Sequence, residues 1–510
     1  MLVKIILLLL FFGCMIAVGL YARKSANSMT DFVLGGRSVG PWLSAFAYGT
    51  SYFSAVVFVG YAGQFGWKYG LASTWIGLGN AVIGSLLAWV AMGRRTRVMT
   101  HHLEVATMPD FFGRRYDSNV IKIVASAIAF VFMIPYTASV YNGLSRLFGM
   151  AFDIPYTVCV ITMAVLTGVY VILGGYMATA INDFIQGIIM LFGIVAVIGA
   201  VLSGQGGFLE AVRKLSELPS DVPVTMGQQG AFASFFGTDP LNLLGVIILT
   251  SLGTWGLPQM VHKFYAIKSE KAIKTGTIVS TFFAVIVSGG CYFLGGFGRL
   301  FDAEALYKAD GSVMYDAIVP SMLSTLPDLL IGVVIILVLS ASMSTLSSLV
   351  LTSASTLTLD FIKGNIVKEM NDKKQLIYIR VLIVLFIVIS VVLALNPPTF
   401  IAQLMGISWG ALAGAFLAPF LYGLYWKGIT RAGVWASFLC GVGITVSNMF
   451  FKFIASPINA GAAAMIAGLI ITPVVSLVTP KINAAFVNKI FQCYDNTAKV
   501  SSKEYLKEEA

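Results

Sequence analysis

The stretch Ser340-Ala341-Ser342-Met343-Ser344-Thr345-Leu346-Ser347-Ser348 places a run of hydroxyls inside an apolar segment that extends from about residue 328 to 359. At hydrocarbon depth such groups find no water. On a helix, Ala341, Ser344, Thr345 and Ser348 recur at i, i+3, i+4 and i+7 and share one face, with Ser347 beside it. Two chemistries fit this stripe. Small and hydroxyl side chains let helices pack closely and bond back to their own i−4 carbonyls. The same oxygens, joined by backbone carbonyls, can replace the hydration shell of a hard cation, and neutral hydroxyls suit a monovalent ion that must be released again. The density of hydroxyls near one face exceeds what packing needs, so the stripe is read as a cation site.

Two further apolar segments contain breakers near their middles. One runs from Trp42 to Tyr69 around Gly49-Thr50-Ser51-Tyr52-Phe53-Ser54; the other runs from Leu241 to Ala266 around Gly253-Thr254-Trp255-Gly256-Leu257-Pro258. Pro258 cannot donate a backbone hydrogen bond, and glycine permits unusual dihedrals. Interrupted helices in a membrane are tolerated where they line a cavity, and a pair of them about five spans apart suggests two repeats around a midplane site. A simple proline kink and a glycine packing notch would give the same pattern, and both readings stand at this point. A break at 49–54 would expose the carbonyls of Thr50 and Phe53, while half-helix N-termini would favour an anionic group such as a carboxylate. Tyr52, Trp255 and Gln259 are placed to line such a pocket. Asp183, at the start of another apolar segment, is either a functional carboxylate, given the cost of about 2.5–3.5 kcal/mol at a helix centre, or an N-cap.

These residues must be carried by membrane helices. The chain of 510 residues is 58% hydrophobic and 11% charged, against about 25% charged in soluble domains. Apolar segments near 3–21, 42–68, 72–93, 119–147, 155–173, 182–203, 240–261, 273–297, 328–357, 376–395, 399–425, 432–454 and 461–479 predict about thirteen transmembrane helices. The first resists reading as a signal peptide, because its apolar run is long and no small-residue cleavage pattern follows. The net charge of +10 sits mainly in short loops, including Arg94, Arg95, Arg97, Arg114, Arg115, Lys263 and Lys268. That is the positive-inside bias of a polytopic protein rather than a nucleic-acid footprint, and it places the N-terminus outside and the C-terminus in the cytoplasm. Cys14, Cys159, Cys291, Cys440 and Cys493 are scattered without metal or redox spacing, and no nucleophile–base arrangement suggests an enzyme.

Several stretches together resemble the sodium:solute symporter family: Gly35-Gly36-Arg37-Ser38-Val39-Gly40-Pro41-Trp42, the run from Thr107 to Tyr116, Leu173-Gly174-Gly175-Tyr176-Met177-Ala178 leading to Asp183, the hydroxyl run, and Gly423-Leu424-Tyr425-Trp426-Lys427-Gly428-Ile429-Thr430. The resemblance covers about residues 31–481. It implies an all-α membrane protein with a LeuT-like 5+5 inverted repeat and broken helices near 49–54 and 253–258. In that organisation residues 1–30 form a peripheral first helix and linker, 31–425 the transporter core, 426–482 two peripheral helices and 483–510 a cytoplasmic tail.

By motif position, the resemblance implies a sodium site at Thr50, Phe53, Ala341, Ser344 and Thr345. A second site, found in some members, would use Asp183, Ser344, Ser347 and Ser348, giving one or two sodium ions as coupling ions and no organic cofactor. Substrate is expected at Tyr52, Ser54, Val57, Ser251, Thr254, Trp255 and Gln259. The proline-transporting branch has an aspartate where Tyr52 stands and aromatics where Thr250 and Thr254 fall, which argues against a simple proline pocket; sugar carriers share Trp255-Gly256 and Gln259. The expected function is sodium-coupled import of a small organic solute, an amino acid or small carboxylate, across the inner (plasma) membrane, with no obligate protein partner. The alternatives are a proton-coupled or sodium-independent carrier on the same fold, or a symporter for a sugar, pantothenate or another vitamin.

Overall fold

The apolar segments fold as helices because hydrocarbon leaves the backbone no other donor or acceptor than its own. A computed structural model describes residues 2–25, 28–152, 154–363, 365–367 and 369–495. The expected tail at 483–510 therefore lies outside the described residues from 496 onward. We label the long helices α1 (Leu2–Ala22), α2 (Pro41–Tyr52), α3 (56–69), α4 (74–102), α5 (Asn119–Phe152), α6 (Tyr156–Gly204), α7 (Pro240–Gly256), α8 (Pro258–Tyr265), α9 (Glu270–Gly295), α10 (Asp328–Thr356), α11 (Asp372–Leu395), α12 (Ile401–Tyr425), α13 (Arg431–Phe451) and α14 (Pro457–Val478). Among the described residues there is no strand, only three isolated bridges. Among the described residues, ten helices are long and apolar enough to cross a bilayer, or up to eleven when the bent pair α7/α8 counts as one span.

The two spans expected at 155–173 and 182–203 are joined by a bend rather than a loop. α6 is continuous for 49 residues except at Gly175 (φ 55°, ψ −147°). A side chain there would fall 2.6 Å from the Phe32 carbonyl oxygen, so both the dihedral and the approach require glycine. At 1.5 Å per residue α6 measures about 73 Å, more than twice a hydrocarbon core of about 30 Å. Asp183 consequently lies inside α6, fully buried, and is not an N-cap.

Both interruptions are present, each narrower than expected. α2 ends at Tyr52, Phe53 is extended (φ −108°, ψ 137°), and the chain resumes as wide π-type turns over Val56–Tyr61. The second break is Leu257 alone (φ −85°, ψ 121°). Pro258 then opens α8 at the position where its missing N–H has no helical partner to lose, and the axis turns by 45°. Gly253 and Gly256 do not supply unusual dihedrals; both lie within helical α7. A Cβ on Gly253 would sit 2.6 Å from the Trp409 ring, and one on Gly256 would sit 2.8 Å from the α12 backbone. They are glycines because α7 and α12 touch.

Burial separates centre from periphery. The most apolar stretch of α12 is 94% buried and that of α1 only 22%. α10 is buried from Val334 through Thr356 apart from Ile336, so its hydroxyls face protein on every side. α11 leaves Val381, Val384, Val388 and Val392 exposed, an apolar face suited to lipid. At the end of the bundle where α12 finishes, Arg115 donates to the carbonyls of Gly423 (2.9 Å) and Trp426 (3.1 Å), and Arg95 donates to Leu424 O (3.0 Å). These guanidinium groups satisfy carbonyls that a helix C-terminus leaves without partners.

Candidate functional site

The end of α2 and the middle of α10 meet at the first break. Breaking the helix at Phe53 frees carbonyls that would otherwise be consumed by i+4 amides. The Ser344 hydroxyl lies 3.1 Å from Thr50 O and 3.0 Å from Ala341 O. The Thr345 hydroxyl lies 2.8 Å from Phe53 O, 3.2 Å from Ala341 O and 3.4 Å from Ser51 O. All five residues expected around sodium thus come together, each at most 3% exposed. Three carbonyls and two hydroxyls make a set of neutral oxygens, and each hydroxyl has lone pairs to turn toward a cation. The donor set fits a small monovalent ion. A further clamp on the same break was not anticipated: the amide of Ala55 donates to Ser342 Oγ at 3.2 Å.

The second expected set divides. Ser347 donates to Ser344 O within α10 (2.9 Å). Ser348 Oγ lies 2.9 Å from Ser51 Oγ and accepts from Lys263 Nζ at 2.9 Å, while Asp183 Oδ2 is 3.5 Å from the same nitrogen. Lys263 also sits over the Tyr176 ring at 5.2 Å from its centroid. Charge bias along the sequence groups Lys263 with the basic loop residues. The structure puts it in α8, 2% exposed. The signal was its position inside the apolar segment ending at Ala266, where an ionisable side chain is a functional candidate by default.

The expected substrate residues surround the two breaks, and most have structural partners. Tyr52 donates to Thr250 O (2.6 Å), Ser251 to Asn80 Oδ1 (3.1 Å), Thr254 to Gly84 O (3.1 Å) and Trp255 Nε1 to Ile83 O (2.9 Å). Wide π-type turns over Asn80–Leu87 of α4 offer the Ile83 and Gly84 carbonyls and the Asn80 side chain, so Ser251, Thr254 and Trp255 tie α7 to α4, while Tyr52 ties α2 to α7. Ser54 Oγ accepts from the Val56 amide (3.2 Å), Val57 is buried, and Gln259 Oε1 is buried with no partner. Two residues that the sequence did not mark belong beside them. Trp409 of α12 stacks on Tyr52 (6.1 Å, 19°) and meets the edge of Tyr136 of α5 (5.8 Å, 78°). Tyr136 OH and Trp409 Nε1 are buried without hydrogen-bond partners, polar atoms that a solute could satisfy.

A cleft of about 390 Å³ opens between α5, the segment before α12 and the short helix Tyr315–Ser324; Asn142, Arg146, Lys308, Asp316 and Thr399 line it. Asp316 Oδ2 accepts from the Ile401 amide (3.4 Å), and burial pushes its carboxyl from the ordinary 3.8 up to about 6, Arg146 and Lys308 offsetting only part of that. The folded protein therefore binds this proton more tightly than the unfolded chain. The carboxyl's penalty is absent below about pH 4, grows as pH rises, and is complete above about pH 6. Asp316→Asn is expected to slow thermal inactivation at pH 8, by on the order of 2 kcal/mol of stability, and to leave it unchanged near pH 4. Inactivation half-lives of the purified protein at the two pH values check this.

A family model described as the sodium:solute symporter family matches residues 32–441. The chain belongs to that family. Among similar proteins, the sodium/proline symporters of Staphylococcus aureus strains JH9 and USA300 are each 30% identical over 500 residues, covering 94% of this chain and 92% of theirs. Among solved structures, a Na+-coupled sialic acid symporter in a substrate-bound outward-open state aligns over 94% of this chain and 98% of its own, with TM-score 0.77 and 16% identity. Mhp1, a nucleobase-cation-symport-1 family transporter, aligns over 92% and 98% with TM-score 0.55 and 12% identity. This symporter is accordingly a multi-pass membrane protein that couples solute movement to sodium. It is a transporter and not an enzyme, and its fold is the all-helical LeuT-like one.

Proposed function

We propose that this symporter imports a small organic solute, an amino acid or small carboxylate, by alternating access, with sodium bound among Thr50, Phe53, Ala341, Ser344 and Thr345. The observation that carries the reading is the meeting of carbonyls from the first broken helix with hydroxyls of α10. An ion placed there bonds both segments at once. Sodium drives a conformational change only if it binds one state better than the other. A site split between two helices has that property, because separating them removes part of its oxygens. On this reading α10 and α2 are clamped when sodium enters from outside, the pocket beside Tyr52, Trp255, Gln259, Tyr136 and Trp409 takes its shape, and rocking of one repeat against the other opens the site inward.

The architecture that goes with this mechanism has thirteen crossings in a 5+5 inverted repeat flanked by peripheral helices. Support comes from the lengths of α6 and the 56–102 stretch, each enough for two crossings, and from the placement of the breaks in α2/α3 and α7/α8. The N-terminus is outside, following the basic loops. The cleft holding Arg146 and Lys308 then faces outward, where two cations raise the local concentration of an anionic or zwitterionic solute. The relatives' named cargo, proline, is an amino acid and agrees with the class. Tyr52 bonded to Thr250 O and stacked on Trp409, Thr250 Oγ1 bonded to Val246 O (2.9 Å) and Thr254 bonded to Gly84 O shape a different pocket from the one the resemblance ascribes to proline carriers.

The test is a thermal-stability screen of purified protein against amino acids, carboxylates and sugars with sodium or with potassium, followed by uptake of the stabilising solute into proteoliposomes. Stabilisation by an amino acid or carboxylate that appears only with sodium, and uptake driven by an inward sodium gradient, are expected. Equal uptake in potassium would refute sodium coupling at this site.

A further inference from the structure

We infer that the Lys263 ammonium is a built-in cation that takes the place of a second sodium ion, so that this symporter binds one sodium per chain. The inference rests on the sodium reading of the first site. Of the side chains that the resemblance assigns to a second ion, Asp183 and Ser348 are the two whose oxygens face a cation, and the cation they face is Lys263: Ser348 Oγ at 2.9 Å and Asp183 Oδ2 at 3.5 Å from Nζ. A third side of the ammonium is covered by the face of Tyr176. Ser347, the remaining hydroxyl of that set beyond Ser344, bonds its own helix. Asp183 and Lys263 are 0% and 2% exposed, so no water shell stands in for these contacts.

Charge and geometry then set the number of ions. One carboxylate balances one cation, and an ammonium already held by the aspartate repels a sodium ion brought to the same oxygens. The first site, by contrast, is made of neutral oxygens and leaves its charge to the ion. The two centres are linked by Ser51. Its hydroxyl lies 2.9 Å from Ser348 Oγ, and its carbonyl lies 3.4 Å from Thr345 Oγ1. Lys263 on α8 thereby holds α6 and α10 and, through Ser348, touches the sodium-bearing end of α2. A diffusible ion in that place would leave with each cycle; a tethered one stays and keeps the second broken helix joined to α10.

Equilibrium binding of radioactive sodium to the purified full-length protein, with no solute added, tests this. Wild type should bind one ion per chain with a Hill coefficient near one. Lys263→Ala frees Asp183 and Ser348 and should bind two, and Lys263→Ala/Asp183→Asn should return to one. Lys263→Gln, which fills more of the space, gives a second variant if the alanine protein does not stay monodisperse, and should also gain a sodium ion. Two ions bound to wild type would overturn the inference whatever the variants do, as would a single ion bound to well-folded Lys263→Ala and Lys263→Gln. Thr345→Ala separates the two ideas. If it weakens one of two ions in wild type, the first site stands and the Lys263 inference falls. If wild type binds no sodium, or if its single ion ignores Thr345→Ala, the first site itself is misplaced and the inference falls with it.

Discussion

Replacing Thr345 with alanine is expected to raise the sodium concentration for half-maximal uptake at least tenfold. Its hydroxyl is the only side-chain oxygen within hydrogen-bond distance of Phe53 O among the described residues, at 2.8 Å, and it also reaches Ala341 O and Ser51 O. Removing it deletes one of the five oxygens proposed for the ion and leaves a buried carbonyl with less company. Interactions of a polar group with a charge contribute roughly 1.5–3 kcal/mol, which converts to about 10–150-fold in affinity. Ser344→Ala should act in the same direction, since Ser344 bridges Thr50 O and Ala341 O. Thr345→Ser, which keeps the oxygen and loses only the methyl, should retain most of the affinity, and that contrast separates loss of a ligand from loss of packing. Sodium titrations of uptake at fixed solute concentration give the numbers. If Thr345→Ala and Ser344→Ala both keep the wild-type sodium dependence, the ion lies elsewhere.

How much of this site could be read in advance follows from which geometry is local. The hydroxyl face of α10 was legible because the helix is unbroken from Asp328 to Thr356, and 3.6 residues per turn then fix which side chains stand together. Thr50 and Phe53 were legible because a break liberates backbone oxygens wherever it falls within a turn or so. Lys263 was not. Whether it faces protein depends on the direction α8 takes after Leu257, a 45° turn that the chain around it imposes. Tyr136 and Trp409 were hidden for a related reason: apolar periodicity shows that they face inward, and only the assembled bundle shows that their polar atoms find no partner. The segment 174–182 shows the opposite limit. Small and polar residues there predicted a gap of several residues between two spans, and the interruption is instead the single non-helical residue Gly175, with Phe32 packed too close for a side chain.

Asp183→Asn should be among the most destabilising single substitutions in this symporter, although it changes no side-chain volume to speak of. At 3.5 Å the Asp183–Lys263 contact is long for a hydrogen bond, and the attraction is chiefly that of opposite charges in a dry interior. Asparagine keeps the shape and removes the charge, leaving the Lys263 ammonium with Ser348 and the Tyr176 ring alone. Removing one partner of a buried ion pair costs about 3–5 kcal/mol, whereas replacing both by neutral groups of similar size is often close to neutral. The Asp183→Asn/Lys263→Met double variant is therefore expected to recover most of what Asp183→Asn loses, a coupling that two independent packing defects would not produce. Unfolding of such proteins is commonly irreversible, so the comparison is best made as inactivation half-lives at one temperature in detergent. Asp183→Asn as long-lived as wild type would mean that the carboxylate does not hold the ammonium. A double variant worse than either single change would mean that the two residues matter for packing and not for charge. Between those outcomes lies the one the geometry supports: α6 and α8 are held together by a charge that arrives with the polypeptide, while on the proposed sodium reading α2 and α10 are held together by a charge that comes and goes with the ion. On that reading only the second contact loosens when the ion leaves, which would give the transport cycle a moving half and a fixed half.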